Sequence, residues 1–360
     1  MRFCWAKVLL GMCASGLLGA NSPFHAPLSS PFPHPASAAM VRPPTCPLPP
    51  KPSPRLDIIG AYVVTDTSYS TIDPARASAR AASIAPVNAF TGGAVLMANR
   101  YVRSRGKDVA SGMCALQWLS AWAGAGAMTQ MPDHEAQFVR SVNLAAWAMA
   151  YAQVRGIRFS QNDPHPIVTD WLARMAADMR SHTSALTNTT AYNNHRYWAG
   201  FAAMAVAMDT GDRSLMNWAL GSARIGLDQI DAAGALPHEL ARKSRARHYH
   251  LYAAMPLVMT AEIAAANGVD LYGYRNGALH LLVGFALGSP AAMAQKAGSI
   301  QDPMKLATRR YDNQRIAWIE LYNRRFRGRA APIAGLLVNR PLVNNEIGGD
   351  MTLLASGVAP

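Results

Sequence analysis

Two short stretches of the chain concentrate side chains that can handle a charged ligand. Residues 192–200, YNNHRYWAG, put two amides, an imidazole, a guanidinium and large aromatic rings into an otherwise alanine-rich sequence. Residues 238–253, HELARKSRARHYHLYA, are rich in arginine, histidine and tyrosine. Guanidinium and amide groups bind carboxylates, and a phenol or an imidazole can move a proton. Together the stretches predict a site that binds an anion and performs acid–base chemistry on it.

Helical periodicity places the chemistry of the second stretch on one face. In a helix that begins near Arg242, successive residues are about 100° apart, so Tyr249 and Tyr252 fall within roughly 40° of Arg245. Arg242 and His248 lie at about 60° on either side. Solvated surface helices also carry such faces, because arginine and tyrosine side chains extend into water. The second stretch alone leaves both interpretations open.

The first stretch favours the functional interpretation. Asn194, His195 and Trp198 form a compact polar and aromatic group at the start of a predicted helix, where donors can converge on an anion. A single histidine is more often a structural hydrogen-bonding partner, but Asn-Asn-His followed by Tyr and Trp is a denser cluster than that role needs. The two clusters together predict a site in which Arg242, Tyr249 and Trp198 contact the ligand.

The elements that must position these residues are helices. Apolar residues recur at helical spacing from about residue 57 onward, and convincing alternating strand patterns are hard to find. The pattern predicts helices at 89–103, 110–129, 136–155, 167–182, 194–208, 214–231, 245–266, 274–287 and 311–325. Many helices joined by short turns predict an all-α fold of antiparallel hairpins, which can close into an (α/α) toroid, an incomplete α/α barrel, with a central cleft.

The N-terminal part of the chain has a different composition. Arg2 and Lys7 precede an apolar run with the layout of a secretory signal peptide, which is too short to anchor stably in a bilayer. Small residues offer cleavage near Ala20 or at 36–38, and the proline-dense segment 21–54 predicts an extended arm. We therefore divide the chain into a signal peptide and leader (1–38), a proline-rich arm (39–56) and a single helical domain (57–360).

Cysteine usage agrees with export. Cys4 and Cys13 fall in the predicted leader, which leaves Cys46 and Cys114. Two cysteines in an exported chain are typical of one disulfide, here between the proline-rich arm and a helix. Two unpaired thiols are the alternative, because no spacing rule identifies a lone pair.

The charge balance bounds the partner. The 34 Lys and Arg residues exceed the 21 Asp and Glu residues, and the formal charge of +13 favours an anionic partner. DNA-binding spacings, zinc-ligand patterns and phosphate-binding glycine loops are missing, and Asp163, His165 and Asp170 are interpreted as parts of a polar turn. We expect an acidic polymer as partner, no cofactor, no metal ion, no nucleic acid, no stable membrane insertion after signal removal, and a monomer.

The motifs resemble a known family. NNHRYW (193–198) followed by LPHELARKSRARHYHLYA (236–253) is similar to the alginate lyases that cleave poly(β-D-mannuronate), in which NNHxYW and a later LPxEL and R(x)6Y segment form the active site. CALQWLSAWA, NGVDL, QDPMK, AWIELY and EIGGDMTLL also have counterparts, so the resemblance covers residues 46–354. The resemblance implies an (α/α) toroid, a periplasmic location and eliminative cleavage of a polyuronate.

The resemblance also implies functional positions. Residues 69–77, YSTIDPARA, resemble the mobile lid of the family, which places Tyr69 and Arg76 over the bound polymer. The family usually has small polar residues where this chain has Thr71 and Ile72. Carried over by position, the catalytic residues are Asn194, His195, Arg245 and Tyr252.

The chemistry of elimination explains these residue types. Breaking the C4–O bond of a uronate requires loss of the C5 proton, which is weakly acidic because the neighbouring carboxylate is already charged. Asn194, Arg245 and His195 are expected to neutralise that carboxylate and stabilise the enolate. Tyr252, its pKa lowered by Arg245, takes the C5 proton and returns one to O4, since both leave the same side of β-D-mannuronate. His195 as base with Tyr252 as acid remains an open assignment.

The same stereochemistry ranks the substrates. Glucuronate differs from mannuronate only at C2, whereas L-guluronate is inverted at C5, so polymannuronate ranks first, polyglucuronate second and guluronate-rich chains last. A non-catalytic periplasmic binding or export-guiding protein for an acidic exopolysaccharide is the alternative function. Tyr252 discriminates between the two, because a binder has no need of that phenol.

Overall fold

The computed structural model describes residues 27–306 and 313–357, and its elements are helical with four two-residue strands. The helices are α1 (Pro74–Arg103), α2 (Val109–Gly124), α3 (His134–Val154), α4 (His165–Ser184), α5 (Asn194–Thr210), α6 (Arg213–Gln229), α7 (Pro237–Leu240), α8 (Ala246–Ala266), α9 (Tyr274–Leu287), α10 (Pro290–Ala297), α11 (Ile319–Arg325), α12 (Pro332–Leu336) and α13 (Met351–Leu354). Strand β1 (Ser37–Ala38) pairs in parallel with β2 (Ile157–Arg158), and β3 (Val343–Asn344) pairs antiparallel with β4 (Gly349–Asp350). The predicted all-α class is confirmed.

The long helices form two layers. Helices α1, α3, α5 and α8 pack side by side in that order, and α2, α4, α6 and α9 cover them from outside. Nearly every residue of α3, α5 and α8 is buried, whereas α4 and α6 bury one face and expose the other. This is the (α/α) toroid that the sequence predicts. Because each inner helix is followed by an outer one, the inner helices run in the same direction and their N-terminal ends meet.

Small residues let the layers approach closely around α5. A Cβ atom added at Gly200 would lie 2.8 Å from Cβ of Ser222 on α6. One added at Gly226 would lie 2.7 Å from the ring of Tyr197. Contacts this short are not tolerated, so both glycines fix the spacing between α5 and α6. They thereby fix the position of the α5 N-terminus, where Asn194 and His195 lie.

Helix α1 begins earlier than the sequence predicts, at Pro74 rather than at residue 89. Asp73 is the N-cap, and its carboxylate accepts hydrogen bonds from the backbone N–H groups of Ala75 and Arg76. Pro74 suits the first helical position because it has no N–H to satisfy there. Pro86 lies inside the helix and misled the prediction, since proline usually ends one. The last predicted helix, 311–325, falls partly on residues 307–312, which lie outside the described residues; α11 covers its end.

The N-terminal arm is tied to the helical layers. A disulfide joins Cys46 to Cys114 of α2, with their Cα atoms 5.4 Å apart. Two α2 indoles add hydrogen bonds: Nε1 of Trp118 donates to the Pro47 carbonyl at 2.8 Å, and Trp122 donates to Pro50 at 2.9 Å. The arm is therefore extended and proline-rich, but it is fixed along α2.

The segment before the arm also belongs to the packed structure. The side chains of Leu28 and Phe32 are buried in the main core. Residues 37–38 form β1, and the Leu28 N–H donates to the carbonyl of Met208 at the end of α5. Residues 27–38, which the sequence analysis groups with the leader, thus pack against the C-terminal ends of α3 and α5.

Candidate active site

A cavity of about 380 Å³ opens at the N-terminal ends of the inner helices. Backbone N–H groups at these ends carry partial positive charge, which favours a bound anion. The cavity is also lined by four guanidinium groups and one carboxylate, Glu135, which forms an ion pair with Arg80 at 2.7 Å. The inner helices contribute Arg80 from α1, His134 and Phe138 from α3, Asn194 and His195 from α5, and His248, Tyr249 and Tyr252 from α8.

Asn194, the first residue of α5, is fully buried and held by Glu239 of α7. Its backbone N–H donates to Oε1 of Glu239 at 2.9 Å, and its side-chain Nδ2 donates to both carboxylate oxygens at 3.1 Å. Burial raises the pKa of Glu239. The Oδ1 atom of Asn194 is buried without a hydrogen-bond partner among the described residues. A buried unpaired carbonyl typically costs about 1–3 kcal/mol, a cost that proteins tolerate at functional sites.

His195 follows directly and has an aromatic and imidazole environment. The ring of Phe138 stacks on it with centroids 3.8 Å apart. Its Nδ1 lies 3.1 Å from Nε2 of His134. Desolvation lowers the pKa of His195 well below the usual value for histidine, and the positive potential of His134, Arg242 and Arg80 lowers it further. The imidazole is therefore neutral at pH 7 and can either donate or accept a proton.

Tyr252 forms another wall of the cavity and is supported from behind. Trp198 packs against it with ring centroids 5.0 Å apart, and the Phe138 ring meets it edge-on at 6.5 Å. The guanidinium of Arg315, in the turn before α11, lies 4.5 Å from the centroid of the Tyr252 ring. A cation in this position stabilises a phenolate electrostatically. Arg315, which the sequence motifs do not single out, is thus a cation beside the Tyr252 ring, in addition to Arg245, which also lines the cavity.

Arg242 and Arg245 lie in a turn rather than on the helix face. Residues Lys243–Arg245 form a 3₁₀ turn, and α8 begins at Ala246. Nη1 of Arg245 donates to the hydroxyl of Tyr62 at 3.1 Å. Arg242 lies 4.3 Å from the centroid of the Tyr249 ring. Both guanidinium groups line the cavity, although the helical geometry predicted for them is not observed.

A loop covers one side of the cavity. In the 62–72 loop, Tyr62 and Ile72 form an antiparallel bridge, and the Asp66 carboxylate accepts hydrogen bonds from Ser68, Ser70 and Thr71. These hydrogen bonds lower the pKa of Asp66, and the bond from the Ser68 side chain has the largest effect. Tyr69 has a positive φ of 51°, and its half-exposed ring lies 5.2 Å from the Arg242 guanidinium. The loop is thus compactly folded and contacts the cavity through Tyr62 and Tyr69.

Two predicted substrate-binding residues lie elsewhere. Trp198 is fully buried behind Tyr252 and is not part of the cavity lining, so it supports the phenol instead of touching a ligand. Arg76 donates to the carbonyl of Gly60 at 3.0 Å, and Arg80, one helical turn later, lines the cavity instead. Helical spacing places Trp198 and Arg76 on helices that border the cavity, but it does not determine which side of each helix faces the cavity.

Sequence reasoning also missed residues that the fold brings in from a distance. The clearest are Tyr62, Arg80, His134, Phe138, Glu239 and Arg315. Glu239 is the one residue of this set that the sequence could have indicated, because it lies within the motif LPHEL. The others lie outside the quoted motifs, and Arg315 falls between QDPMK and AWIELY. Within residues 27–306 and 313–357, no three His, Cys, Asp or Glu side chains gather as a metal site requires.

A helical toroid whose cavity gathers arginines, an amide, an imidazole and a phenol matches the class of polysaccharide lyases. The comparisons with known proteins agree, and the chain belongs to the alginate lyase family: the family's sequence profile matches residues 59–297. The chain is 34% identical over 325 residues to a polysaccharide lyase of Stenotrophomonas maltophilia K279a. The aligned region covers 86% of this chain and 91% of that protein. It is 33% identical over 323 residues to an alginate lyase of Azotobacter vinelandii, which covers 86% of this chain and 83% of that protein.

Solved structures show the same architecture. A His-to-Ala variant of alginate lyase A1-III, complexed with a tetrasaccharide, superposes with a TM-score of 0.75 at 25% identity, covering 88% of this chain and 87% of that one. Alginate lyase A1-III from Sphingomonas species A1 gives a TM-score of 0.70 at 26% identity, covering 90% and 85%. The (α/α) toroid and the assignment as a polysaccharide lyase therefore rest on sequence and structure together.

Proposed function

We propose that this lyase cleaves β-1,4-linked polymannuronate by β-elimination in the arginine-lined cavity. The observation that carries the proposal is that Asn194, His195, Arg245 and Tyr252, which come from two separate segments of the chain, line one cavity. The tetrasaccharide complexes of alginate lyase A1-III support it, since they were obtained with a His-to-Ala and a Tyr-to-Phe variant. Those residue types match His195 and Tyr252.

The uronate carboxylate binds at the N-terminal ends of α5 and α8. Arg242 and Arg245 supply positive charge there, and the helix ends add partial charges of the same sign. Asn194 takes part as a donor when its Nδ2 turns from Glu239 towards the substrate. These groups stabilise the enolate that forms when the C5 proton leaves, which is the preorganised electrostatic role that dominates many such reactions.

Tyr252 acts as both base and acid. As phenolate it takes the C5 proton, and as phenol it passes that proton to O4 while the C4–O bond breaks. The Arg315 guanidinium stabilises the phenolate until it takes the C5 proton. Neutral His195 donates from Nε2 to the carboxylate. One group can serve both atoms because H5 and O4 lie on the same side of a β-D-mannuronate ring.

This geometry sets the substrate order. Glucuronate keeps the configuration at C4 and C5 and fits the same groups, so polyglucuronate ranks second. Guluronate presents H5 to the opposite side of the ring, away from Tyr252, and ranks last. The aromatic residues Tyr62 and Tyr69 on the 62–72 loop are suited to cover a bound sugar chain.

We further propose that the mature protein is a periplasmic monomer with a single lyase domain. The support is the basic and apolar N-terminal sequence and the Cys46–Cys114 disulfide, which suits an oxidising compartment. N-terminal sequencing of the periplasmic fraction tests the location. Because residues 27–38 pack into the fold, we expect cleavage before residue 27, near Ala20.

The proposed activity is tested by incubating the mature protein with purified polymannuronate, polyglucuronate and polyguluronate and following the ultraviolet absorbance of the new C4–C5 double bond. We expect the highest rate on polymannuronate. Absence of the chromophore with all three polymers would contradict lysis of these substrates, and a preference for polyguluronate would contradict the assigned stereochemistry.

A further inference from the structure

A row of imidazoles leads from the cavity to the protein surface. Nδ1 of His195 lies 3.1 Å from Nε2 of His134, and Nδ1 of His134 lies 3.3 Å from Nε2 of His182. The His134 and His195 rings are nearly parallel, 10° apart. His195 lines the main cavity, and His182, in the last turn of α4, is partly exposed. A narrow crevice is bordered by all three histidines.

Three helix ends create this row. His134 is the first residue of α3, His195 lies in the first turn of α5, and His182 lies at the end of the antiparallel α4. Phe138 stacks on His195 and keeps its ring in line. The row is therefore built by the toroid itself and not by a flexible loop.

The row has two self-consistent hydrogen-bonding states. A neutral imidazole donates from one nitrogen and accepts at the other. In the first state all three protons are on Nδ1, and His195 presents a bare Nε2 to the cavity. In the second all three are on Nε2, and His195 presents an N–H donor. A proton taken up at Nε2 of His195 converts the first state to the second: each Nδ1 proton moves to the next ring, and one proton leaves from Nδ1 of His182.

Burial and the neighbouring arginines favour the neutral form of the three histidines. Desolvation lowers the pKa of each of the three histidines. Glu135 and Asp133 face His134 and oppose that shift, and Asp178 does so at His182. Arg140 faces His182, and Arg242 and Arg80 face His195; all three favour the neutral ring. Neutral rings are what a relay requires, because each must be able to accept a proton.

We propose that His195, His134 and His182 form a proton relay that prepares the site for elimination. Before each elimination the proton of the Tyr252 phenol passes across the cavity to Nε2 of His195, and one proton leaves at His182. The same event leaves a phenolate to attack the C5 proton and an Nε2–H donor to bind the carboxylate. When product leaves, the reverse transfer takes up one proton at His182 and returns one from Nε2 of His195 to Tyr252, so the relay acts once per turnover. His182 lies outside the cavity lining and His134 at its edge, and both act through His195 as positioning and relay residues. The inference rests on the proposed function in one respect, that His195 faces the substrate.

The kinetic test uses variants that keep a hydrogen bond but cannot pass a proton. The amide of glutamine occupies the position of Nε2, so His182→Gln retains a partner for His134. We expect its kcat on polymannuronate to fall by about tenfold or more with little change in KM, given typical contributions of proton transfer. Added imidazole buffer should restore the rate of this variant and leave the wild type unaffected. The control is His34→Gln, an exposed histidine outside the cavity, with kcat unchanged.

Wild-type kcat in His182→Gln, or a reduced kcat that imidazole does not restore, would overturn the relay. A second measurement needs no turnover: the ¹⁵N chemical shifts of labelled histidines report which ring nitrogen carries the proton. His182→Gln should change the tautomer balance of His195 although the two side chains are not in contact, and unchanged shifts would refute the coupling. Because this readout uses free protein, it separates failure of the relay from failure of the proposed substrate.

Discussion

Nδ2 of Asn194 donates to both carboxylate oxygens of Glu239, at 3.1 Å each, while Oδ1 of the same amide is buried without a partner among the described residues. An ionised Glu239 holds the amide in this orientation. A protonated Glu239 can donate to Oδ1 instead, which releases Nδ2 for the substrate carboxylate. Burial raises the pKa of Glu239 and favours that form.

The first prediction concerns this pair. Glu239→Gln should retain most of the wild-type kcat, because its Oε1 accepts from the Asn194 backbone and its Nε2 donates to Oδ1. Glu239→Ala should lose about 100-fold, the typical cost of a misplaced donor to a developing oxyanion. Steady-state kinetics on polymannuronate measure both. A glutamine variant as inactive as the alanine variant would show that the negative charge itself is needed.

Replacing the phenol tests the assigned base. Tyr252→Phe should keep polymer binding and lose about 10²–10⁴-fold in product formation, the range that general acid–base groups contribute. Binding is measured by calorimetry and turnover by ultraviolet absorbance. Trp198→Phe is the matched control, since it alters the support of the ring and leaves the hydroxyl. Near-normal turnover in Tyr252→Phe would transfer the base role to His195.

The cation beside the phenol predicts a pH effect. The Arg315 guanidinium lies 4.5 Å from the centroid of the Tyr252 ring, and we expect its removal to take away positive charge that would stabilise a phenolate there. If the Tyr252 phenolate is the base, kcat increases as the pH rises. Arg315→Gln should therefore move this increase to higher pH. Arg245→Gln should mainly weaken substrate binding, because that guanidinium lines the cavity and donates to the hydroxyl of Tyr62. A pH–rate profile that moves with Arg245→Gln and not with Arg315→Gln would reverse these roles.

His250 predicts acid sensitivity of the fold. Its Nδ1 donates to the Ala246 carbonyl, its Nε2 accepts from the Leu236 N–H, and burial lowers its pKa from 6.5 to about 4. The unfolded chain binds the proton more readily, so this contribution to the free energy of unfolding is lost as the pH falls from 6.5 to 4. Between pH 7 and 4.5 the loss is about 2–3 kcal/mol. Urea titrations should show a weaker pH dependence in His250→Gln than in His34→Gln.

The disulfide predicts a stability effect without a catalytic one. Cys46 and Cys114 are 68 residues apart, and closing a loop of that length restricts the unfolded chain by about 4 kcal/mol. Replacing both cysteines by serine should lower the free energy of unfolding by a comparable amount and leave kcat near wild type, since Cys114 is on the outer helix α2. Denaturant titration and the lyase assay provide the two readouts. Equal stability would indicate that Trp118 and Trp122 hold the arm without the bond.

Sequence patterns predict the interiors of the helices well and their ends less well. The segments around α3, α5 and α8 agree with the structure because long apolar runs at helical spacing have few other solutions. The start of α1 is not predictable from periodicity, because Pro86 is accommodated inside the helix. The pattern predicts Arg242 on a helix although the residue precedes a 3₁₀ turn, since short turns and helices share the same local composition.

The site was predictable only where its residues share a motif. The motifs around Asn194, His195 and Tyr252 mark the cavity directly. Arg315 and His134 reach it through tertiary packing, and neither lies within a motif that assigns it a role. Trp198 carries the opposite lesson, because its membership of a motif reflects support of Tyr252 and not contact with a ligand.

The segment that carries Leu28 and Phe32 determines how the protein should be produced in recombinant form. Starting the chain at residue 39 would delete two core side chains and leave holes that cost roughly 3–5 kcal/mol for an aromatic alone. It would also remove one of the hydrogen bonds of Arg155, which donates to the Leu28 carbonyl. Recombinant protein should therefore begin before residue 27, and an N-terminal affinity tag should precede that residue.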